Sequence, residues 1–309
     1  MYGVVCEDDS RFAVKAELNA AVGATGPADM LETEWRALSL LASAGSAVAQ
    51  PVAIDRDARF LVTRWAAGAT LDDACQRPSA VDPVTIAACL SELGAIERAC
   101  AEGADALASH TVRRDDRLLV EEFAASFARA REAYYVCLDA ARALTQDTAR
   151  ACDAAWQGLW TALADAPTTL GPLDMNARNL VLSPDGPVFL DFATVGWDWP
   201  ERRVAQYLTA MGRMREDGRV ACALTPRALR ADAELDAQVA RRLEGHCMLT
   251  ACLAIAGMLS RERPDEWPQW PDAGDARADS ARRTLALGGV ASFAPAVALR
   301  AAAADAWRL

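Results

Sequence analysis

The order of hydrophobic and polar residues predicts strands at the start of the chain and helices over most of the rest. Alternating apolar and polar residues predict short strands at residues 2–7, 11–17, 53–55 and 59–65. Apolar residues three or four positions apart predict helices at residues 30–43, 82–102, 116–143, 147–165, 200–213, 232–261, 275–287 and 295–307. Asp29 is suited to cap the first of these helices. The pattern therefore predicts an α+β fold with a small β-rich N-terminal part and a large, mainly helical C-terminal part.

The stretch 171–199 carries the strongest candidate chemistry. A Pro-Asp-Gly turn at 184–186 separates two short apolar runs, which predicts a β-hairpin. Because a hairpin brings its ends together, Asn179 before it and Asp191 after it should lie close, and Asp174 can reach the same place from the preceding loop. Two carboxylates and an amide are oxygen ligands of the kind that Mg²⁺ prefers. The alternative is a surface hairpin with ordinary capping residues.

Composition and charge exclude some classes of function. The formal net charge is −11 over 309 residues, which argues against binding to nucleic acid or to an anionic membrane surface. No apolar run reaches membrane-spanning length. The acidity is compatible with a cationic substrate, and the alternative is that it only keeps the protein soluble.

The cysteines and histidines form no recognisable site. The nine cysteines contain no Cys-x-x-Cys pair, which predicts reduced, mostly buried thiols and a cytoplasmic location. The N-terminal residues have no basic region before an apolar one, so we expect no secretory signal. The histidines, His110 and His246, lack metal-ligand spacing, and the chain has neither a P-loop nor a dinucleotide fingerprint.

Lysine is nearly absent from the chain. Of the 32 basic residues, Lys15 is the one lysine. It lies in the alternating segment Arg-Phe-Ala-Val-Lys-Ala-Glu at 11–17. A compact ammonium is not easily replaced by a guanidinium in a tight phosphate pocket, so this lysine is a candidate phosphate ligand. The alternative is a surface lysine that survives by chance.

Several of these residues together resemble a known family. Asp174 followed five residues later by Asn179, and then Asp191-Phe192, resembles the catalytic and metal loops of protein-kinase-like phosphotransferases. Gly196-Trp197 makes the likeness closer to the aminoglycoside phosphotransferase branch. The resemblance implies that Asp174 is the catalytic base and that Asn179 and Asp191 hold Mg²⁺.

The resemblance extends to the N-terminal part. It implies that Lys15 contacts the nucleotide phosphates and pairs with Glu34 of the first helix, for which Glu32 is a competing choice. It also implies that Thr63 is the gatekeeper beside the adenine and that the next residues face the base: Arg64, Trp65 and Ala66. The implied fold is protein-kinase-like and two-lobed, with a nucleotide-binding N-lobe at 1–66 and a helical C-lobe at 67–309.

The sequence departs from the family pattern in four places. Pro172 replaces a histidine two residues before the catalytic aspartate, and the metal loop reads Asp-Phe-Ala. Arg202 or Arg203 replaces an aspartate that normally braces the catalytic loop, so some other group must brace it. The N-lobe is expected to be reduced, because its first strand and part of its phosphate cover are missing. A nucleotide would then bind less tightly, or a partner chain or a dimer would supply the missing cover.

The resemblance implies an ATP- or GTP-dependent phosphotransferase that acts on the hydroxyl of a small molecule, as antibiotic kinases do. A peptide serine or threonine is the alternative acceptor, and a nucleotide-binding pseudokinase scaffold is the alternative of another class. Acidic and aromatic side chains of the C-lobe are candidates for holding an amine-bearing substrate: Asp198, Trp197, Trp199, Trp267 and Trp270. Each of these could equally serve core packing or surface charge.

Overall fold

The fold is described by a computed structural model. It covers residues 2–17, 25–74, 83–113, 116–174, 176–209, 237–259 and 293–307. The predicted helix at 275–287 and the predicted site residues Trp267 and Trp270 lie outside the described residues. Among the described residues, no helix is both long and apolar enough to cross a lipid bilayer.

An antiparallel sheet forms the N-terminal part. Its strands are β1 (Tyr2–Val5), β2 (Arg11–Ala16), β3 (Pro51–Asp55) and β4 (Phe60–Arg64), in the spatial order β1-β2-β4-β3. The predicted strands at 2–7, 11–17, 53–55 and 59–65 are confirmed, with ends shifted by one or two residues. Strand β2 pairs with β4 so that Lys15 lies opposite Leu61 and Ala13 opposite Thr63.

Helix α1 (Met30–Ser43) packs on this sheet. The Asp29 side chain accepts a hydrogen bond from the Glu32 N–H over 3.1 Å, which confirms the predicted cap. The apolar face of α1 is buried, including Leu31, Leu38 and Leu41.

The rest of the chain is mainly helical. It contains α2 (Leu71–Ala74), α3 (Pro83–Glu102), α4 (Ala104–Leu107), α5 (Asp116–Ala140), α6 (Gln146–Ala164), α7 (Pro200–Thr209), α8 (Ala237–Leu259) and α9 (Ala294–Trp307). Short strands lie between these helices: β5 (Ala69–Thr70), β6 (Thr169–Pro172), β7 (Leu180–Ser183), β8 (Gly186–Phe189) and β9 (Val195–Asp198).

The predicted hairpin is β7–β8. Leu180 lies opposite Phe189, and Ser183 lies opposite Gly186 at the turn. Gly186 has φ +127°, a conformation that favours glycine, which explains why the Asp-Gly pair marks the turn. Strand β5 pairs with β7 on one edge of the hairpin. On the other edge, the Phe189 N–H donates to the Ala47 carbonyl (2.9 Å) and the Ala49 N–H donates to the Phe189 carbonyl (3.1 Å).

Two hydrophobic clusters fill the interior. One joins the N-terminal part to α3 and the hairpin through residues such as Leu38, Leu61 and Phe189. The other lies among α5, α6, α8 and α9. The cysteines among the described residues are free, and all of them except Cys6 are buried, as the sequence predicts.

Candidate active site

Lys15 lies at the centre of the candidate site, because strand alternation and register aim its side chain at α1 and the hairpin. Its Nζ donates to Glu34 Oε2 over 2.7 Å and to Asp191 Oδ1 over 2.8 Å. The predicted pairing with Glu34 is therefore present, and Glu32 instead binds Arg36 and Arg56 at the surface. Burial alone would lower the pKa of Lys15, but the two carboxylates outweigh it and raise the pKa.

Glu34 is the more buried partner of this lysine, with 4% of its surface exposed. Burial raises its pKa to about 7, against the attraction of Lys15. The preceding residue fixes this turn of α1 to the helical part, since Thr33 Oγ1 and His110 Nδ1 lie 3.0 Å apart in the interior. The helix therefore holds the Glu34 carboxylate at a fixed place below the sheet.

Asp191 reaches Lys15 from the end of the hairpin. It has φ +60°, a left-handed conformation that few residues other than glycine adopt and that aspartate tolerates. The Ala193 N–H donates to its Oδ1 over 3.4 Å. Both of these contacts of the carboxylate, from Lys15 and from Ala193, use Oδ1. Its Oδ2 is therefore available to a ligand.

Asp174 and Asn179 lie on the loop that leads into β7. Asn176 Oδ1 accepts from the Arg178 N–H (3.0 Å) and caps a single 3₁₀ turn at Ala177–Asn179. Asn179 Nδ2 donates to the Asp174 carbonyl over 3.3 Å, and the Leu190 N–H donates to the Asn179 carbonyl over 2.7 Å. The hairpin thus brings Asn179 beside Asp191, as its turn predicts.

The Asp174 carboxylate is exposed at the edge of this arrangement. Its pKa is raised, first by partial desolvation within the loop and then by repulsion from Asp191. A carboxylate with a raised pKa holds a proton more readily than an ordinary aspartate, which suits a group that accepts one from a substrate.

A cavity of about 230 Å³ adjoins these groups. The hinge segment, which runs from Thr63 at the end of β4 to Ala66 before β5, lines this cavity, as do Lys15, Asn179 and Asp191. The Ala66 N–H donates no hydrogen bond to any described residue, so it is open to a ligand. Apolar side chains complete the walls: Ala13, Leu38, Ala49, Leu61, Val181 and Leu190.

Gly68 brings the hinge segment against the hairpin. Its φ is +141°, and a Cβ at this position would lie 2.3 Å from the Leu182 carbonyl oxygen. No other residue type would allow the two backbones to approach so closely, so Gly68 fixes the width of the cavity on this side.

Asn179 and Asp191 present oxygen donors that fit a divalent cation. The hydrogen bond from Asn179 Nδ2 to Asp174 orients the amide, so that its oxygen points away from that loop. Asp191 offers Oδ2. These are hard oxygen donors of the kind that Mg²⁺ takes when phosphates and water complete its shell. Among the described residues, no cluster of three or more His, Cys, Asp or Glu could hold a metal by itself.

Three of the residues predicted to contact a substrate lie elsewhere. Asp198 is completely buried, and its carboxylate binds Arg113 (3.0 Å) and Arg202 (3.2 Å). Burial would raise its pKa, but Arg202, Arg203 and Arg113 together lower it. This carboxylate is therefore committed to internal ion pairs and is not available to an amine-bearing ligand.

The two tryptophans beside Asp198 contribute to the interior. Trp199 is completely buried among aromatic side chains, and its indole N–H donates to the Ala166 carbonyl over 3.0 Å. Trp197 is half-buried and packs against the first hydrophobic cluster. The structure therefore brings neither of them to the cavity beside Lys15, and the burial of Trp199 commits its side chain to the interior.

Sequence reasoning missed Arg178. This exposed side chain lines the cavity next to Asn179, and its charge acts on Asp174. Its Nε donates to Asn176 Oδ1 over 3.4 Å, and no described carboxylate forms an ion pair with it. Its position within the segment Asp-Met-Asn-Ala-Arg-Asn at 174–179 was the sign in the sequence that could have indicated it. A loop arginine is usually a surface charge, however, and only the tertiary structure shows that this one faces the cavity.

The model of the phosphotransferase enzyme family matches residues 21–237. No curated protein matches the chain at a significant level.

Solved structures resemble the fold. A macrolide 2′-phosphotransferase from Brachybacterium faecium superposes with a TM-score of 0.50 at 16% identity, over 91% of this chain and 87% of that one. An amicoumacin kinase in complex with AMP-PNP and Ca²⁺ gives a TM-score of 0.47 at 14% identity, over 92% of this chain and 84% of that one. At such identity the likeness to the macrolide enzyme establishes the fold alone. With the family match, it confirms the predicted two-lobed, protein-kinase-like α+β fold.

Proposed function

The chain belongs to the phosphotransferase enzyme family, and on that premise we propose that it transfers the γ-phosphate of ATP or GTP to a hydroxyl group of a small molecule. One observation carries the proposal. The ammonium of Lys15 bridges Glu34 and Asp191 at the wall of a cavity that the hinge segment also lines. Three distant parts of the chain thus converge on one place suited to a nucleotide.

In the proposed binding mode, the base lies between the apolar walls of the cavity. The free Ala66 N–H faces a ring nitrogen, and Thr63 limits the depth to which the base enters. The phosphates extend towards Lys15, which has three N–H donors and uses two of them on carboxylates. Arg178 supplies a second cation that no described carboxylate neutralises.

Asn179 and Asp191 are the residues that would hold Mg²⁺. When bound, the ion supplies positive charge that offsets the negative charge of the phosphates. The protein's own part is to fix these two oxygens: the Leu190 N–H bonds the Asn179 backbone and Lys15 bonds Asp191. The pairing of β7 with β8 keeps them together.

Asp174 is the proposed general base. The acceptor oxygen attacks the γ-phosphorus, the bond from that phosphorus to the β,γ-bridging oxygen breaks, and the nucleoside diphosphate leaves with the bonding electrons. The proton of the acceptor hydroxyl passes to the Asp174 carboxylate. The exposed position of this carboxylate gives an acceptor access to it.

The proposed acceptor is a small molecule, and electrostatics favours a cationic one. The formal net charge of −11 attracts cations from solution. Since Asp198 and Trp199 are buried, the proposed acceptor site does not include them.

The deciding experiment combines binding and turnover. We expect ATP or GTP to raise the melting temperature in the presence of Mg²⁺, and a panel of hydroxyl-bearing antibiotics, aminoalcohols and peptides to show which acceptor gains 80 Da by mass spectrometry. Asp174→Asn should lower turnover by about 10²–10⁴-fold and change the nucleotide Kd by less than about threefold.

Asp185→Asn is the matched control, because Asp185 is an exposed aspartate in the turn of the same hairpin. It should leave both turnover and binding unchanged. The absence of any Mg²⁺-dependent stabilisation by either nucleotide would contradict the proposal, as would full turnover by Asp174→Asn.

A further inference from the structure

Arg203 is buried at the base of the candidate site. It lies in α7 with none of its surface exposed, which is rare for an arginine unless its charge and its donors are satisfied. Its guanidinium has five N–H donors, and five acceptors surround it. Nε donates to the Pro172 carbonyl (2.9 Å), and Nη2 donates to the carbonyls of Thr169 (2.8 Å) and Gly196 (2.9 Å). Nη1 donates to Thr169 Oγ1 (2.7 Å) and to Glu97.

Four of the five acceptors belong to the two strands that flank the catalytic residues. Strands β6 and β9 pair antiparallel, with Pro172 opposite Val195 and Gly171 opposite Gly196. Pro172 is two residues before Asp174, and Gly196 is five residues after Asp191. One side chain therefore bonds the backbone just before the proposed base and just after the proposed metal ligand.

The neighbouring backbone is shaped for a guanidinium. A Cβ on Gly171 would lie 3.1 Å from Arg203 Cζ, so the planar group packs directly against the strand. Glu97 of α3, 5% exposed, supplies the compensating carboxylate from the other side. A lysine could not span the same acceptors, because it presents a compact charge without a fork of donors.

We propose that Arg203 is a positioning residue for the phosphotransfer reaction, acting through the carbonyls of Pro172, Thr169 and Gly196 to hold the loop of Asp174 in register with the loop of Asp191. The inference rests on the proposed function for its catalytic consequence. The sequence required a brace for the catalytic loop, and either Arg202 or Arg203 was expected to have displaced it. Here the arginine is itself the brace, and it works by donating hydrogen bonds.

A second buried arginine provides the control. Arg300 of α9 donates to Glu244 of α8 over 2.9 Å, and both are buried, in helices that carry no proposed catalytic residue. Arg203→Lys and Arg300→Lys therefore make the same chemical change in two buried ion pairs, and only the first lies next to the catalytic loops.

The test uses the full chain with Mg²⁺ and ATP or GTP, and it measures phosphate release to water as acceptor. We expect Arg203→Lys to lower kcat by about 100-fold, with a change of less than about threefold in nucleotide Kd. It should also accelerate hydrogen exchange at the Leu173 amide, which bonds the Thr194 carbonyl over 3.0 Å. Arg300→Lys should lower the melting temperature but keep kcat, per folded molecule, within about twofold.

Equal losses of kcat in the two variants, or an unchanged Leu173 amide in Arg203→Lys, would overturn the positioning role. If Arg203→Lys does not fold, Thr169→Val removes one of the five acceptors and should give a smaller effect of the same kind, and unchanged kcat and exchange would overturn the role. If the wild-type protein neither releases phosphate nor is stabilised by either nucleotide with Mg²⁺, the proposed function fails, while the exchange measurement still decides whether Arg203 holds the loop.

Discussion

The two ion-pair clusters of the site, around Lys15 and around Arg203, are built in opposite ways. Lys15 has 28% of its side chain exposed and contacts two carboxylates at the wall of a cavity. Arg203 is fully enclosed, and all five of its donors are used within the protein. The lysine cluster can accept a new partner without leaving a buried charge unpaired, whereas the arginine cluster cannot. The first is suited to ligand binding, and the second to holding geometry.

The strongest test of this comparison is to remove the buried cation of Arg203. Arg203→Met leaves Glu97 buried without its partner, so the free energy of unfolding should fall by about 3–5 kcal/mol. Urea denaturation followed by circular dichroism measures it. The double variant Arg203→Met with Glu97→Gln should recover part of the loss, because no buried charge is left. A loss of unfolding free energy below about 1 kcal/mol in the single variant would show that the cluster around Arg203 does not stabilise the fold.

The pH dependence of stability sharpens the comparison at Glu34. Its pKa is about 7 in the folded protein against an ordinary value of 4.5, so between these values the folded state holds a proton that the unfolded state lacks. The proton on Glu34 therefore stabilises the folded state fully below about pH 4.5, and this stabilisation is lost as the pH rises to about 7. Relative to Glu34→Gln, the wild-type protein should lose up to about 3 kcal/mol between pH 4.5 and 7.5. Parallel profiles for the two proteins would contradict the prediction.

Removing the exposed cation should affect the ligand more than the fold. Lys15→Met should raise the nucleotide Kd about 30-fold, since a hydrogen bond from a charged donor is worth about 2 kcal/mol. Its unfolding free energy should fall less than that of Arg203→Met, because Glu34 can take up a proton when its partner is lost. Isothermal titration with Mg²⁺ and each nucleotide measures the Kd. A larger loss of stability in Lys15→Met than in Arg203→Met would reverse the comparison.

The smallest expected effect concerns Arg178. Arg178→Ala should raise the nucleotide Kd about tenfold, or about 1.4 kcal/mol, and the difference should shrink at high salt. Arg36→Ala is the control, since Arg36 is an exposed arginine of α1 that pairs with Glu32 away from the cavity. The same change in both variants would mean that only overall charge matters.

Features with a local cause could be predicted from the sequence. The Asp29 cap and the apolar spacing after it determine α1, and the Asp-Gly turn determines the β7–β8 hairpin. Because the hairpin fixes the separation of its own ends, the meeting of Asn179 and Asp191 followed from the sequence as well. The approach of Lys15 needed the resemblance to a family, since 176 residues separate it from Asp191.

Features that depend on distant pairing could not be predicted. Strands β6 and β9 are four residues each, contain glycine or proline, and lack alternation. No local pattern in the sequence therefore predicts the two-stranded sheet that encloses Arg203. In the sequence, Asp198 resembles a surface acid beside two tryptophans. In the structure its carboxylate pairs in the interior with Arg113, which is 85 positions away. Whether a carboxylate faces solvent or an arginine is decided by tertiary contacts that no local pattern encodes.

The hairpin with Asn179 and Asp191 at its ends is hydrogen-bonded along both edges, to β5 beyond Gly68 and to the backbone at Ala47 and Ala49. Because β5 and the hairpin both belong to the C-lobe, of the backbone hydrogen bonds that the described residues form along these two edges, only those of Phe189 with Ala47 and Ala49 cross between the lobes. Any motion that widens the cleft between the lobes must therefore break these two backbone hydrogen bonds or move the hairpin together with the N-lobe.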